Sequence, residues 1–194
     1  MLAEPTTQLT DKLITGEELF RMGDLGRTEL VEGRIVYLMP TGRPHSRIEF
    51  IIAGLLFIYN RLRNFGEVHG GEIGIFTRRN PDTVRGMDVA LISHERLAYA
   101  NENGFLTVAP ELIVEVMSPS DRWAEVLQKL DEYFAVDAKM VWIVEPKTEQ
   151  IYVYRSQANV EIFTKSDTLT CEDVLPDFSL ELHEVFGTQT MYGE

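Results

Sequence analysis

Pro110-Glu111-Leu112-Ile113-Val114-Glu115-Val116-Met117-Ser118-Pro119-Ser120-Asp121 reads as a strand, a sharp turn and the start of a helix. Its oddity is Glu115, a carboxylate inside an otherwise apolar run. An ionised carboxylate costs several kcal/mol or more to bury unless it is paired, hydrogen-bonded or metal-bound, on the order given by transfer data. Downstream, Trp123, Val126, Leu127, Leu130, Tyr133 and Phe134 form a stripe at helical spacing. Ser120 is the expected N-cap, and Asp121 complements the helix dipole. Met140-Val141-Trp142-Ile143-Val144 then reads as a buried strand. Strand, helix and strand over 112–144 make one βαβ-like unit, which sets the fold class as α/β (α+β).

Upstream, Thr15-Gly16-Glu17-Glu18 has the pattern of a capping box opening a short helix. Glu29-Leu30-Val31 and Ile35-Val36-Tyr37-Leu38, joined by Glu32-Gly33-Arg34, predict a hairpin. His45, Ile48, Ile52, Leu55, Tyr59 and Leu62 fall on one face of a long helix, broadened by Ile51, Leu56 and Ile58. A second hairpin is expected across Glu67 to Thr77, turning at Gly70-Gly71. Met87-Asp88-Val89-Ala90-Leu91-Ile92 is a short strand, again with one carboxylate inside it, and Ser93 is set to cap a small helix. Further strands are expected at Ile151 to Tyr154 and Asn159 to Thr164, with a terminal helical turn over His183 to Phe186. The expectation is a mixed central sheet flanked by helices, with extra β-hairpins. One domain would span 15–186, between a loose segment at 1–14 and a tail at 187–194.

The composition is that of a soluble globular protein, at 194 residues, 44% hydrophobic and 25% charged. The single cysteine, Cys171, cannot form an intrachain disulfide, and its acidic neighbours argue against a reactive thiolate. No secretory signal is legible at the N-terminus, and the nearly apolar stretch from Phe50 to Tyr59 is half of the roughly 20 residues a membrane span needs. A cytoplasmic protein with no membrane association is expected. The net charge of −13 counts against non-specific nucleic-acid binding. Arg43, Arg47, Arg61, Arg63, Arg78, Arg79 and Arg85 lie in the first half, and scattered solvated charges are a better reading of them than a phosphate-facing patch.

The chemistry sits on two strands that each carry one acid among apolar neighbours. Alternation puts Asp88 on the face of Ala90 and Ile92, and Glu115 on the face of Ile113 and Met117. Two such acids on neighbouring strands make a hard-oxygen site suited to Mg²⁺ or Mn²⁺. Lys129, on the flank of the helix stripe, is within plausible reach of Glu115. Singly, each has a bland reading: a turn-capping Asp88, a Glu115 paired with a structural arginine, a Lys129 at the surface. It is the three together that point to a site.

The Asp88–Ile92 block, the Pro110–Asp121 block, Lys129-Leu130-Asp131-Glu132-Tyr133 and Met140-Val141-Trp142-Ile143-Val144-Glu145-Pro146 resemble successive blocks of one family. Glu29-Leu30-Val31-Glu32-Gly33-Arg34 and Pro44-His45 fit the same pattern. The family is the large bacterial group of restriction-endonuclease-like proteins within the PD-(D/E)XK nuclease superfamily, and the resemblance covers roughly residues 15 to 185. It implies a restriction-endonuclease-like fold and a metal-dependent phosphodiesterase site acting on DNA. Carried over, Asp88, Glu115 and the Val116 carbonyl hold the metal, and Lys129 orients water or stabilises charge on phosphate. The chain departs from the pattern where Met117 stands in the usual lysine position and Met87 in that of the proline before the first acid. His45, Glu29 and Glu49 are secondary candidates. A core or capping role is favoured for His45, and Glu29 over Glu49 as the acid completing the metal site. Two rivals stand beside the nuclease reading: a non-catalytic binding or oligomerisation module, and a hydrolase of smaller phosphate esters. Analogy with nucleases of this fold also implies a homodimer.

Overall fold

The computed structural model describes residues 12–187, so most of the expected N-terminal segment and nearly all of the expected tail lie outside the described residues. Helix α1, Gly16–Arg21, opens on the expected capping box: Thr15 Oγ1 accepts from Glu18 N, and the Glu18 carboxylate accepts from Thr15 N. Strands β1, Thr28–Val31, and β2, Arg34–Tyr37, form the expected hairpin. Helix α2, Arg43–Arg63, ends at Asn64 in the left-handed region. Its buried stripe is His45, Ile48, Ile52, Leu56 and Tyr59. The expected face is thus rotated: Leu62 and Ile58 point to solvent with Phe50 and Phe57, because nothing among the described residues covers that side.

Strands β3, Gly66–Arg78, and β4, Thr83–Ser93, correct the expected second hairpin. Gly70-Gly71 is no hairpin turn. The chain runs on through it, and β3 pairs with β4 along its length, with the turn at residues 79–82. Gly70 pairs with Val89 and Ile73 with Met87, so two residues, Gly71 and Glu72, stand opposite Asp88 alone. This is a β-bulge, which bends a strand and re-aims a side chain. Two glycines signalled an interrupted ladder, and the length of apolar alternation beyond them made it a bulge.

Ser93 caps α3, His94–Leu97, as expected. Strand β5, Leu112–Val116, leads to helix α4, Trp123–Ala135. Its N-cap is Arg122 rather than Ser120, and the Asp121 carboxylate instead accepts from Ser118 N within the turn. Next come β6, Met140–Glu145, β7, Gln150–Ser156, and β8, Asn159–Thr164. A separate pair, β9, Thr168–Cys171, and β10, Leu175–Glu181, precedes α5, Leu182–Phe186.

Among the described residues, eight strands form one mixed sheet in the order β2-β1-β4-β5-β6-β7-β8, with β3 on β4. β5 and β6 are parallel across α4, the expected βαβ unit, and the other pairings are antiparallel. Helix α2 covers one face through Val89, Leu91, Leu112, Val114 and Trp142. Helix α4 covers the other through Ala90, Ile92, Ile113, Val141 and Ile143. Since β3 holds one edge of β4, β1 and β5 must share the other. β1 meets it at Val84, and β5 at Val89 to Leu91. The sheet therefore forks beside residues 85–88, and backbone groups unpaired at the fork are free to meet side chains.

No helix among the described residues is long and apolar enough to cross a membrane. Cys171 is buried, and burial first, then Asp173, pushes its thiol up to about 12, so it is no nucleophile.

Candidate active site

The fork collects the polar groups that the apolar strands could not otherwise tolerate. Asp88 is almost wholly buried there. Its Oδ2 accepts from Val116 N at 2.7 Å, which ties β4 to the end of β5 where their ladder has stopped. His45, in the first turn of α2, sets Nε2 3.2 Å from the same oxygen. Its Nδ1 lies 3.7 Å from Glu49 Oε2, one turn along the helix, and has no hydrogen-bond partner among the described residues. His45, Glu49 and Asp88 each offer a ligand atom within 4.8 Å of the others. Burial alone would raise Asp88 and lower His45, but their contact reverses both: Asp88 sits below the ordinary aspartate value and His45 above that of free imidazole.

Extending the β4–β5 register by one residue sets Asp88 across from Glu115. Lys129, from α4, reaches Glu115 Oε2 at 3.3 Å and Glu29 Oε1 at 2.9 Å, and Tyr133 donates its hydroxyl to Glu115 Oε1. Burial pushes Glu115 up to about 8, against the opposing pull of Lys129. Burial would also lower Lys129, but Glu115 and Glu29 outweigh it and hold the ammonium charged.

Behind this pair lies an ion network. Arg85 gives Nη1 to Glu29 Oε2 at 2.7 Å and grips Glu132 with both Nε and Nη2, at 2.6 and 2.7 Å. Thr77 Oγ1 and Gln128 Nε2 also donate to the Glu132 carboxylate. Glu29 also accepts from Gly86 N at 3.3 Å. Buried though it is, Glu29 stays below the ordinary glutamate value because Lys129 and Arg85 both face it.

A hard divalent cation fits this donor set. Glu29, Glu49, Glu72, Asp88, Glu115 and Glu132 share the region with three permanent cations, Arg27, Arg85 and Lys129. Two of those three are spent on Glu29, Glu115 and Glu132, which leaves the His45–Glu49–Asp88 corner rich in oxygen donors beside an orphaned imidazole nitrogen.

A family model described as Uma2, putative restriction endonuclease, matches residues 17–183. The chain belongs to the Uma2 family. A solved structure of similar fold is described as a putative nuclease belonging to DUF820, from Anabaena variabilis ATCC 29413. It aligns at a TM-score of 0.72 with 21% identity, over 89% of this chain and 97% of that one. No curated protein matches. The match makes the fold of this Uma2 protein nuclease-like, as the sequence blocks implied.

Set against the sequence reading, Asp88, Glu115 and Lys129 do converge in this Uma2 protein, and Lys129 reaches across from the helix where Met117 cannot. His45 is neither a plain core residue nor a cap, since it faces Asp88. Of the two secondary acids, Glu49 joins Asp88, whereas Glu29 is held by Lys129 and Arg85. Sequence reasoning missed Glu72, Arg27 and Tyr133. The signal for Glu72 was a charged residue directly after the Gly-Gly of a strand. The arginines of the first half are mostly engaged internally: Arg63 with Asp177, Arg78 with Glu32, Arg79 with Glu17 and Asp82, and Arg85 in the core network.

A pH dependence follows in the absence of metal. Between pH 4.5 and about 8 the folded chain keeps the Glu115 proton that an unfolded chain loses, so stability falls as pH rises through this window. His45, held above its free value, acts in the same direction. Urea unfolding of the metal-free protein should show a loss on the order of a few kcal/mol from pH 5 to pH 8. Glu115→Gln should flatten that slope, and an unchanged slope would refute the assignment.

Proposed function

We propose that this Uma2 protein is a divalent-metal-dependent nuclease that hydrolyses DNA phosphodiester bonds. The observation that carries the reading is Asp88, buried at the sheet fork, between the His45–Glu49 pair and the Glu115–Lys129 pair. The family's description as restriction endonucleases supports DNA as the substrate.

Asp88, Glu49 and His45 would hold Mg²⁺ or Mn²⁺, and Glu115 and the Val116 carbonyl are the further ligands that the family pattern implies. Support for Val116 comes from strand geometry, in which the N–H and C=O of one residue point to the same edge. Its N–H meets Asp88, so its carbonyl opens on the same fork. A divalent cation supplies Lewis-acid polarisation of the phosphoryl group and lowers the pKa of attacking water. Lys129, charged and half-enclosed, stabilises negative charge growing on the phosphate, at a place where low dielectric strengthens it. Glu115, itself held by the Tyr133 hydroxyl, fixes the position of Lys129.

The test is nicking of supercoiled plasmid with Mg²⁺ or Mn²⁺. Lys129→Ala is expected to slow it about 100- to 1000-fold, as for loss of one preorganised charge at a developing anion, while Mn²⁺ still binds. Wild-type protein that leaves plasmid intact, or a variant as fast as wild type, overturns the reading. A second reading, a hydrolase of small phosphodiesters, draws on the net charge of −13 and the internal engagement of the arginines. Cleavage of bis(p-nitrophenyl) phosphate with no plasmid nicking would select it.

A further inference from the structure

Glu72 is delivered to the site by the β-bulge of β3. Gly71 and Glu72 are the two bulged residues opposite Asp88, and both have positive φ, at 79° and 66°. A non-glycine residue rarely adopts that backbone without compensation. Beneath the carboxylate, β4 carries Gly86, where an added Cβ would lie 2.6 Å from Glu72 Oε2. The bulge thus sets Glu72 beside Asp88, where helix α2 already brings Glu49 and His45.

The group now facing them is a guanidinium. Arg27 Nη2 contacts Glu72 Oε1 and lies 4.0 Å from Asp88 Oδ1. Arg27 and Glu72 are both about a quarter exposed, at 27% and 25%. An arginine can pair with a carboxylate on a regular strand, so the pair by itself does not account for the left-handed backbone at Glu72 and the glycine below it. An independent sign of a ligand is His45, whose side chain is 5% exposed and whose Nδ1, directed toward Glu49, has no partner.

We propose that Glu72 is a cation ligand alongside Asp88, and that Arg27 occupies the cation's place when no divalent ion is bound. The inference rests on the metal-dependent reading of the site and adds a carboxylate to it. On binding a hard divalent ion such as Mn²⁺, Glu72 turns to the ion, and Arg27 is released from Glu72 toward the open side of the fork, where an incoming phosphate would meet it.

Calorimetric titration with Mn²⁺ tests this without reference to turnover. Glu72→Gln should weaken Mn²⁺ binding by about 100-fold or more, beyond the loss typical of an outer contact, while the melting temperature of the metal-free variant stays at or above that of wild type. Arg27→Gln should tighten Mn²⁺ binding, because a competing cation is gone. Unchanged affinity in Glu72→Gln, or a metal-free Glu72→Gln that melts well below wild type, overturns the proposal and leaves Glu72 as a structural partner of Arg27. Failure of the wild-type protein to bind Mn²⁺ overturns the metal-dependent reading itself, an outcome distinct from equal binding by wild type and variant.

Discussion

Asp88→Asn is expected to abolish metal-dependent cleavage while sparing the fold. Asp88 joins three elements at the fork. It holds the Val116 N–H at 2.7 Å, meets His45 at 3.2 Å, and faces Arg27 across 4.0 Å. Asparagine keeps the shape and one carbonyl oxygen, so the Val116 N–H retains an acceptor and β4 stays joined to β5. What is lost is the charge that draws a cation into the corner with Glu49 and His45. Mn²⁺ affinity should fall at least about 100-fold, beyond the 10- to 100-fold typical of an outer contact. Plasmid nicking should fall by about 1000-fold or more, above the loss typical of a single electrostatic contact. His45 reports on the same change. Asp88 raises its pKa, so in the variant it should drop toward or below the free value, read by NMR titration. A variant that cleaves at the wild-type rate would refute the site, and a His45 titration that does not move would refute the contact.

The second large effect is on stability. Arg85 alone joins Glu29 to Glu132 and is itself buried, with an 8% exposed side chain. Arg85→Met leaves Glu132 without its bidentate partner and Glu29 with Lys129 as its remaining cation. Breaking a buried ion pair from one side costs about 3–5 kcal/mol, because the other charge stays buried and uncompensated. For a chain of this size that lowers the melting temperature by roughly 10 °C. Arg85→Lys should recover little, since an ammonium cannot span both carboxylates as the planar fork does. Adding Glu132→Gln to Arg85→Met should restore part of the loss. A melting temperature within about 2 °C of wild type would show that the network contributes nothing to the fold. Activity should fall as well, because Glu29, no longer shared, draws Lys129 away from Glu115.

The sequence by itself determined much of this protein. The alternation and helical spacing over 112–144 produced the βαβ unit, since a strand buried on both faces and an amphipathic helix between strands admit few other packings. It also singled out Asp88 and Glu115, because a charge in an apolar run must be paid for by some partner. Parity gave each acid its face-mates within its own strand, and the β4–β5 register then set the two opposite one another.

Partner identity was not legible, since it depends on contacts between residues far apart in sequence. Glu29, 56 positions before Arg85, meets it only because β1 and β5 divide one edge of β4. The preference for Glu29 over Glu49 failed to anticipate that geometry: Arg85 and Lys129 take up the first, while one helical turn carries the second beside His45. Gly70-Gly71 marked a break in a ladder, but turn and bulge share the same local chemistry. Only pairing with β4 decided between them, and with it the position of Glu72 beside Asp88. Sequence periodicity fixes which face a side chain takes, because that is a local property of the backbone. Which charges then neutralise one another is decided by the sheet order and the two helices that close over its fork.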